Sequence, residues 1–298
     1  MAPKLRPVLG TIAARRQTEG GGFVVRRPFP TAEVDHIDPF MLLDEMGPVD
    51  YAPGRAVGAP DHPHRGFETV TYLLAGEIEH RDSNGGFGVI TPGAVQWMTA
   101  GSGVVHSELP TERLMREGGR VHGFQLWVNL PAAKKMIPPR YQGYESHEIP
   151  SRRREGGGTL RVIAGNIDGV EGIVETTSPA TYGHASLARG ESLAWTPDDG
   201  HTALVHVFAG AADVNGTRAD EGTMVVADRS SGSLEIRAEA DGTEVLLLGA
   251  LPLGEPVVRY GPFVMNSRDE IVRAIRDYED GKLGAIVATG PGTSRSRA

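Results

Sequence analysis

The chain has 298 residues, a length that suggests about two domains. Apolar residues make up 39% and charged residues 23%, as in ordinary globular proteins, and no apolar run approaches the roughly 20 residues that cross a bilayer. The formal net charge of −8 argues against binding nucleic acid through its phosphates, and the absence of cysteine excludes disulfides and thiolate metal clusters.

The first segment, MAPKLRPVLGTIAARRQTEGGG, contains the pair Arg15 and Arg16 but no apolar stretch after it. A secretion signal needs such a stretch behind its positive charges. We therefore expect a cytoplasmic protein that contacts neither a membrane nor nucleic acid directly.

Short apolar runs bounded by glycine or proline recur along the chain. In order they are TVTYLLAGE, GFGVITPG, GFQLWVNLP, TALVHVFAG, GTMVVAD and TEVLLLGALP. Many short strands with this punctuation are typical of a β-sandwich or barrel. The sequence therefore predicts an all-β fold.

One helix is predicted near 267–280. Ser267 and Glu270 have the spacing of a capping box, and Gly281 is placed to end the helix. The expected apolar stripe comprises Ile271, Ile275 and Tyr278. The polar tail PGTSRSRA, residues 291–298, is expected to be disordered.

Two pairs of similar segments indicate an internal duplication. TYLLAGE resembles VHVFAGA, with Gly76 and Gly210 separated by 134 residues, and TPGAVQWM resembles DEGTMVVA, with Gly93 and Gly222 separated by 129. The alternative is chance similarity between β-rich segments. A Pro- and Arg-rich stretch at 130–158 fits a connection, so we predict an N-terminal domain at 1–135 and a C-terminal domain at 136–298.

Two pairs of metal-ligating residue types stand at i and i+2. His62 and His64 form one pair, and His106 and Glu108 form the other. Alternate residues of a strand share a face, so neighbouring strands would bring four ligands together. Such a set suits one divalent metal (Fe, Mn, Co, Ni, Cu or Zn) and leaves positions open, as catalytic or sensing sites do. The alternative for the first pair is two surface histidines beside a proline.

The remaining histidines lack a partner at ligand spacing. His80 follows a strand-like run and fits either a structural residue or one that supports the metal ligands from behind. We interpret the others as structural: His36, His122, His147, His184, His201 and His206.

Three segments resemble the pirin family of the cupin superfamily. They are DPFMLLDEMGP, HPHRGFETVTYLLAGE and HRDSNGGFGVITPGAVQWMTAGSGVVHSE, with a looser match at GPFVMNSRDEI. The resemblance implies a bicupin of two facing β-barrels. It also implies that His62, His64, His106 and Glu108 hold one iron-type metal, Fe(II), in the N-terminal barrel. Glu68 is a competing carboxylate, since many cupins take an acidic ligand shortly after the H-x-H pair; its other interpretation is a hydrogen-bonded strand residue.

The second half is expected to lack the metal. The offset of 134 places Thr196 and Asp198 opposite the first histidine pair, and the offset of 129 places Glu235 and Arg237 opposite the second pair. None is an imidazole, and an arginine would repel a cation. The C-terminal barrel is therefore interpreted as packing or as a surface for a partner.

The resemblance implies quercetin 2,3-dioxygenase activity, because some pirin-like proteins are credited with it. A flavonol would place its 3-hydroxyl on the metal, and Glu108, as ligand or detached base, would accept the proton. Reaction with O₂ would then open the ring and release carbon monoxide and a depside. Phe67, Trp97 and Met98 are candidate walls of the substrate pocket, with core packing as the alternative.

Two other functions remain open at the level of sequence. The resemblance also implies iron-binding members that regulate a transcription factor or a metabolic enzyme without catalysis. Lacking cysteine, such a regulator would sense redox state through its metal or through methionine oxidation. The third interpretation is a metal-bound scaffold without turnover. A monomer is expected in each case.

Overall fold

The structure is a computed structural model that describes residues 4–19 and 22–287. The tail that was predicted to be disordered, 291–298, lies outside these residues. The first half contains twelve strands: β1 (Val8–Ala13), β2 (Arg15–Glu19), β3 (Phe23–Phe29), β4 (Phe40–Tyr51), β5 (Ala59–His64), β6 (Phe67–Ala75), β7 (Ile78–Asp82), β8 (Phe87–Ile90), β9 (Val95–Thr99), β10 (Val104–Pro110), β11 (Gly119–Asn129) and β12 (Arg140–Tyr144).

The second half contributes fourteen more strands: β13 (Ser151–Arg153), β14 (Thr159–Ala164), β15 (Asn166–Ile167), β16 (Val170–Glu171), β17 (Ala180–Leu187), β18 (Ser192–Trp195), β19 (Thr202–Ala209), β20 (Ala211–Val214), β21 (Thr217–Asp220), β22 (Thr223–Ala227), β23 (Leu234–Ala238), β24 (Thr243–Ala250), β25 (Val258–Tyr260) and β26 (Phe263–Met265). The two α-helices of the described residues are α1 (Glu112–Glu117) and α2 (Arg268–Glu279).

Each half folds into a barrel built from one large and one small antiparallel sheet. The N-terminal barrel has a seven-stranded sheet, β12-β9-β6-β11-β4-β3-β2, and a four-stranded sheet, β5-β10-β7-β8. The C-terminal barrel repeats this order as β1-β22-β19-β24-β17-β14-β13 and β18-β23-β20-β21. The predicted all-β bicupin fold with a short C-terminal helix is thereby confirmed.

The two barrels exchange their edge strands. β1, at the start of the chain, pairs with β22 of the C-terminal barrel, and β12, which follows residue 135, pairs with β9 of the N-terminal barrel. Each exchanged strand covers an edge that would otherwise expose unpaired N–H and C=O groups. The chain therefore crosses between the barrels at both ends of the first domain, and the boundary at 135 stays a prediction.

The glycines that suggested the duplication occupy equivalent places. Gly93 donates its N–H to the carbonyl of Leu73 at 2.6 Å, and Gly222 donates to the carbonyl of Val207 at 2.7 Å. Both glycines have positive φ, near +83° and +81°. A residue with a Cβ is strained there, which explains why glycine recurs at this turn.

The large sheets pack face to face between the barrels. Their contact forms the main core, which contains Tyr72, Trp97 and Phe124 from the first barrel and Phe208 and Leu246 from the second. The interior of the C-terminal barrel is a separate apolar core. Burial of such a continuous apolar face fixes the two barrels against each other.

Helix α2 begins as predicted, because the Ser267 hydroxyl accepts a hydrogen bond from the N–H of Glu270 at 3.3 Å. Its buried residues are Ile271 and Ala274, whereas Tyr278 is 40% exposed. The helix therefore packs through its first turns, and Tyr278 does not extend the buried stripe. Neither helix in the described part of the chain has the length and apolar character needed to cross a membrane.

Candidate metal centre

The structure brings three histidines together inside the N-terminal barrel. His62 lies directly opposite His106 across the β5–β10 pair, and His64 points to the same side as His62. The ring centroids are 4.3 Å apart for His62 and His106 and 4.8 Å apart for His64 and His106. One ligand nitrogen from each of the three lies within 4.8 Å of the others, a spacing at which they could hold a metal ion.

The hydrogen bonds of His62 and His64 favour a cation between them. Nδ1 of His62 lies 2.7 Å from the carbonyl oxygen of Pro60, and Nδ1 of His64 lies 3.3 Å from that of Pro262. Each Nδ1–H therefore donates to a carbonyl, which leaves both Nε2 atoms with lone pairs. These Nε2 atoms are only 3.1 Å apart, and a shared positive ion would relieve the repulsion of their lone pairs.

Burial keeps two of these imidazoles neutral. Removal from water, followed by the neighbouring histidines, places the pKa of His64 and that of His106 well below the usual value. Neutral imidazole is the form that binds a metal, so both side chains are ready to ligate near neutral pH.

His106 is oriented from behind by His80. Nε2 of His80 lies 3.0 Å from a carboxylate oxygen of Asp82, and its Nδ1 accepts a hydrogen bond from Gln96 at 3.0 Å. Nδ1 of His106 lies 3.4 Å from the same Nδ1 of His80, so its N–H shares the single lone pair of that nitrogen with the amide of Gln96. Nε2 of His106 is then left buried without a hydrogen-bond partner, as expected of a metal ligand.

His80 thus contacts one of the three clustered histidines, and its role in supporting a metal ligand stays a prediction. Its ring is fully buried, and it stacks at 4.9 Å from the ring of Tyr141 on the exchanged strand β12. The sequence could not reveal the contact between His80 and His106, because that contact depends on the pairing of β7 with β10.

Glu108 lies in the same barrel but is not among the atoms of the three-histidine group. Its carboxylate accepts hydrogen bonds from the hydroxyl of Thr71 at 2.6 Å and from the amide of Gln125 at 2.9 Å. The register shift between β10 and β5 places its extra residue on β5, between Ala59 and His62, whereas β10 pairs regularly with β7, so Glu108 faces the same side as His106. Its role as a metal ligand stays a prediction.

Glu68, the competing carboxylate, faces away from this site. It accepts hydrogen bonds from Thr99 at 2.7 Å and Thr177 at 2.6 Å. Thr71, three residues further along β6, points to the barrel interior, so Glu68 belongs to the opposite face of the strand. Burial raises the pKa of Glu68, which the two hydroxyl donors only partly offset. The interpretation as a hydrogen-bonded strand residue fits these contacts.

A cavity of about 790 Å³ leads to the site. His62, His64 and Glu108 line it together with largely apolar walls. The apolar side chains of the walls include Leu42, Met46, Val49, Val57, Ile78, Leu114, Val121 and Trp127.

The aromatic and sulfur-containing residues that were proposed as walls do not line the cavity. Trp97 belongs to the core between the barrels, and Met98 packs with Ala100 and Val104. Phe67 packs beside His64, with ring centroids 5.0 Å apart. Core packing therefore explains all three, and the sequence missed Trp127 because only the pairing of β11 shows which face it takes.

The segment around Pro262, near the C-terminal end of the described residues, forms one side of the candidate metal centre. Pro262, whose carbonyl accepts from His64, precedes β26, and β26 is tied to the first barrel by the buried ammonium of Lys135. That ammonium donates to the carbonyls of Gly66 and Val264 and to the side chain of Asn129 at 2.6–2.9 Å. Burial lowers the pKa of Lys135 to about 8.

The equivalent place in the second barrel is apolar. The strand registers align His62 with Trp195 and His64 with Pro197, both of which are buried. They align His106 with Leu234 and Glu108 with Ile236, each with no exposed surface. In the described part of this barrel, the matching positions offer no metal ligand.

The sequence offsets were wrong by one residue in the second barrel, because each named a neighbour of the position that is equivalent to a metal ligand. Thr196, Asp198, Glu235 and Arg237 are exposed and point outward. A slip of one residue exchanges the two faces of a strand, and connecting turns of unequal length produced that slip. The expectation that the metal ligands have no counterpart there is unaffected.

Three of the remaining histidines stabilise the contact between the barrels. Nε2 of His122 lies 2.9 Å from Glu45 and that of His206 lies 3.8 Å from it. Burial alone would raise the pKa of Glu45, but its interactions with these histidines and with Arg26 lower it to about 2. His184 bridges the hydroxyl of Tyr72 and the carboxylate of Glu244.

The fold and this site define the chain as a bicupin whose N-terminal barrel carries a histidine-rich centre that could bind a metal. Comparison with known families narrows this class. The Pirin family matches residues 22–128, and the Pirin C-terminal cupin domain matches residues 182–284. The chain belongs to the pirin family.

Its relatives include both sequences and solved structures. A Pseudomonas aeruginosa protein named "Putative quercetin 2,3-dioxygenase" is 44% identical over 283 residues, covering 94% of this chain and 99% of that protein. The crystal structure of a quercetin 2,3-dioxygenase from Acinetobacter baumannii is 40% identical with a TM-score of 0.90, covering 95% of this chain and 100% of that one. The bacterial pirin YhhW of Escherichia coli, solved in complex with nickel(II), is 21% identical with a TM-score of 0.62, covering 82% of this chain and 99% of that one.

Proposed function

We propose that this chain is a metal-dependent dioxygenase that opens the central ring of flavonols such as quercetin. The observation that carries the proposal is a cluster of three imidazoles at a large, mostly apolar cavity that Glu108 also lines. A cavity of about 790 Å³ is within the usual range for a drug-sized ligand. The names of the relatives from Pseudomonas and Acinetobacter agree with this substrate class.

The donor set fits one divalent metal, which we propose to be Fe(II). His62, His64 and His106 would hold it through their Nε2 atoms, and Glu108 would add an anionic oxygen. Two facing Nε2 atoms and one buried Nε2 without a partner are the features that support this fit. When bound, such a metal supplies a positive charge that lowers the pKa of a hydroxyl and an open position for dioxygen chemistry.

The protein residues bind and orient the substrate. Trp127 and Leu42 lie on facing strand positions and present flat apolar surface to aromatic rings. Glu108 accepts the proton of the 3-hydroxyl, while Thr71 and Gln125 hold the carboxylate in place. The enclosing walls keep bulk water from the reacting ring.

The test is turnover by protein of known metal content. The chain is purified anaerobically, its metals are measured, and samples loaded with iron, manganese, cobalt, nickel, copper or zinc are exposed to flavonol in air. We expect at least the iron-loaded sample to consume flavonol and release carbon monoxide, and His106→Ala to do neither. His147→Ala, which changes an exposed histidine, is the matched control.

Failure of every metal-loaded sample to consume flavonol or release carbon monoxide would exclude the enzyme. The metal-dependent regulator of a transcription factor or metabolic enzyme would then be the better proposal for the same site.

A further inference from the structure

A row of polar side chains crosses the wall of the cavity, starting at Glu108. Thr71 on β6 lies directly opposite Gln125 on β11, and Gln125 lies directly opposite Asp44 on β4. Asp44 in turn contacts Arg27 on β3 through two hydrogen bonds of 2.5–2.6 Å. The interior positions two residues away along β4 are the apolar Leu42 and Met46, so the polar row is bounded by apolar rows.

The far end of this row is a cluster of opposite charges. The Arg27 guanidinium binds both oxygens of Asp44 and also contacts Glu19 at 2.7 Å. Arg27 and Asp44 are buried, and all three residues line the cavity. Adjacent strands are about 4.8 Å apart, so the strand of Arg27 lies about 10 Å from that of Gln125, which binds Glu108.

This cluster has unused hydrogen-bonding capacity. Its contacts use three of the five N–H donors of the Arg27 guanidinium, and no described residue accepts from the other two. Each oxygen of Asp44 accepts one hydrogen bond from Arg27 and keeps a lone pair. The cluster can therefore both accept a hydrogen from a hydroxyl group and donate one to its oxygen.

The charge of the cluster selects among polar groups. Two carboxylates and one guanidinium leave a formal charge of −1, so a carboxylate or sulfate on the ligand would be repelled. A neutral hydroxyl is not repelled, and neighbouring hydroxyls on one ring would satisfy both the donor and the acceptors.

We infer that Glu19, Arg27 and Asp44 form a distal binding subsite for the hydroxyl-bearing end of a flat polyphenol whose other end reaches the metal centre. The inference rests on the proposed function, because it takes the metal centre as the place where the opposite end docks. The subsite makes the enzyme prefer flavonols with hydroxyls on the distal ring over flavonols that lack them or carry an anionic group there.

Ligand binding by metal-loaded protein under nitrogen tests this subsite without turnover. Three flavonols with the same metal-binding oxygens are compared by quenching of tryptophan fluorescence: one with two distal-ring hydroxyls, one with none, and one with a sulfate on that ring. We expect the dihydroxy compound to bind about tenfold more tightly than the compound without hydroxyls, and the sulfated compound to bind most weakly.

A matched pair of variants tests whether the preference for distal-ring hydroxyls depends on this cluster. Asp44→Asn removes the charged acceptor from the cavity and should abolish the tenfold preference. Glu45→Gln changes the next residue of the same strand, whose side chain pairs with Arg26 on the opposite face, and should keep the preference. If Asp44→Asn does not fold, Glu19→Gln, at the more exposed side of the cluster, should reduce the preference instead.

The outcomes separate the two proposals. Equal binding of the dihydroxy and unsubstituted flavonols to the wild type, or an unchanged preference in the folded cluster variant, would overturn the subsite while leaving flavonol binding intact. Binding of none of the three flavonols would overturn the proposed substrate class and the subsite together.

Discussion

Nε2 of His62 and Nε2 of His64 lie 3.1 Å apart, and each ring donates its Nδ1–H to a backbone carbonyl. Two lone pairs are thus held face to face by the fold itself. This arrangement is unfavourable without a cation and favourable with one, so metal binding and stability should be linked.

Metal content should follow from these ligands. His62→Ala and His106→Ala should lose most of the bound metal yet stay folded, because the imidazoles contribute little apolar burial to the core. Wild-type protein should hold one metal per chain, and its melting temperature should rise on metal addition, whereas that of the variants should not. Elemental analysis with thermal unfolding measures both, and wild-type occupancy in His62→Ala would contradict the assignment.

His80 should act on the metal through His106. His80→Ala removes the acceptor of the His106 Nδ1–H and should weaken metal affinity by about 10–100-fold, the usual effect of losing such a partner. His80→Gln, whose side-chain oxygen can accept the same proton, should recover part of the affinity. Competition with a chelator measures the affinity, and the absorption spectrum of cobalt-loaded protein reports ligand geometry.

The same two variants distinguish orientation from packing. A packing role alone would lower thermal stability in His80→Ala and leave the cobalt spectrum of the folded protein unchanged. That result, together with unaltered chelator competition, would remove His80 from the metal centre.

Glu45 should make the stability of the fold depend on pH in the acidic range. Its pKa is lowered from 4.5 to about 2 in the fold, so its ionised form stabilises the native state above pH about 4.5. That contribution, about 3 kcal/mol from the shift, should disappear as the pH falls towards 2. Denaturant unfolding at several pH values should show a shallower pH dependence for Glu45→Gln than for the wild type; equal slopes would argue against the shift.

The shared face of each pair of candidate ligands was predictable, because it depends only on the spacing of two residues along one strand. Spacing at i and i+2 on a strand fixes a shared face, and the glycines at the turns mark where strands end. The other contacts of the site depend on which strands pair with each other, and the sequence does not show this pairing. His80 reaches His106 only because β7 joins β10, and Glu108 meets Thr71 and Gln125 only because the large sheet packs across the barrel from β10.

Register explains the error in the second barrel and the misplaced walls. The second barrel has one residue more between Trp195 and Gly210 than the first has between His62 and Gly76, so the offset of 134 pointed to the exposed Thr196 and not to the buried Trp195. Trp97 likewise faces the contact between barrels, a surface that no single-strand pattern reveals. Both errors arise because alternation gives two faces but does not say which face meets the cavity.

The role of Glu108 separates the enzyme from the regulator. Glu108→Gln keeps the size of the side chain and an oxygen that accepts from Thr71, but loses the charge and the basicity. If Glu108 accepts the substrate proton, flavonol turnover should fall by about 10²–10⁴, the usual range for removing a general base, while metal affinity weakens modestly. Glu68→Gln, a buried carboxylate on the opposite face of β6, is the matched control and should keep wild-type turnover.

Measurement of turnover together with metal content distinguishes a role of Glu108 as metal ligand from a role as general base. A fall in turnover that merely parallels loss of metal would make Glu108 a ligand and not a base. Unchanged turnover per bound metal in Glu108→Gln would remove it from proton transfer. If the wild type has no turnover to lose, the same variant should instead shift the reduction potential of bound iron upward, because loss of an anionic ligand destabilises Fe(III) relative to Fe(II).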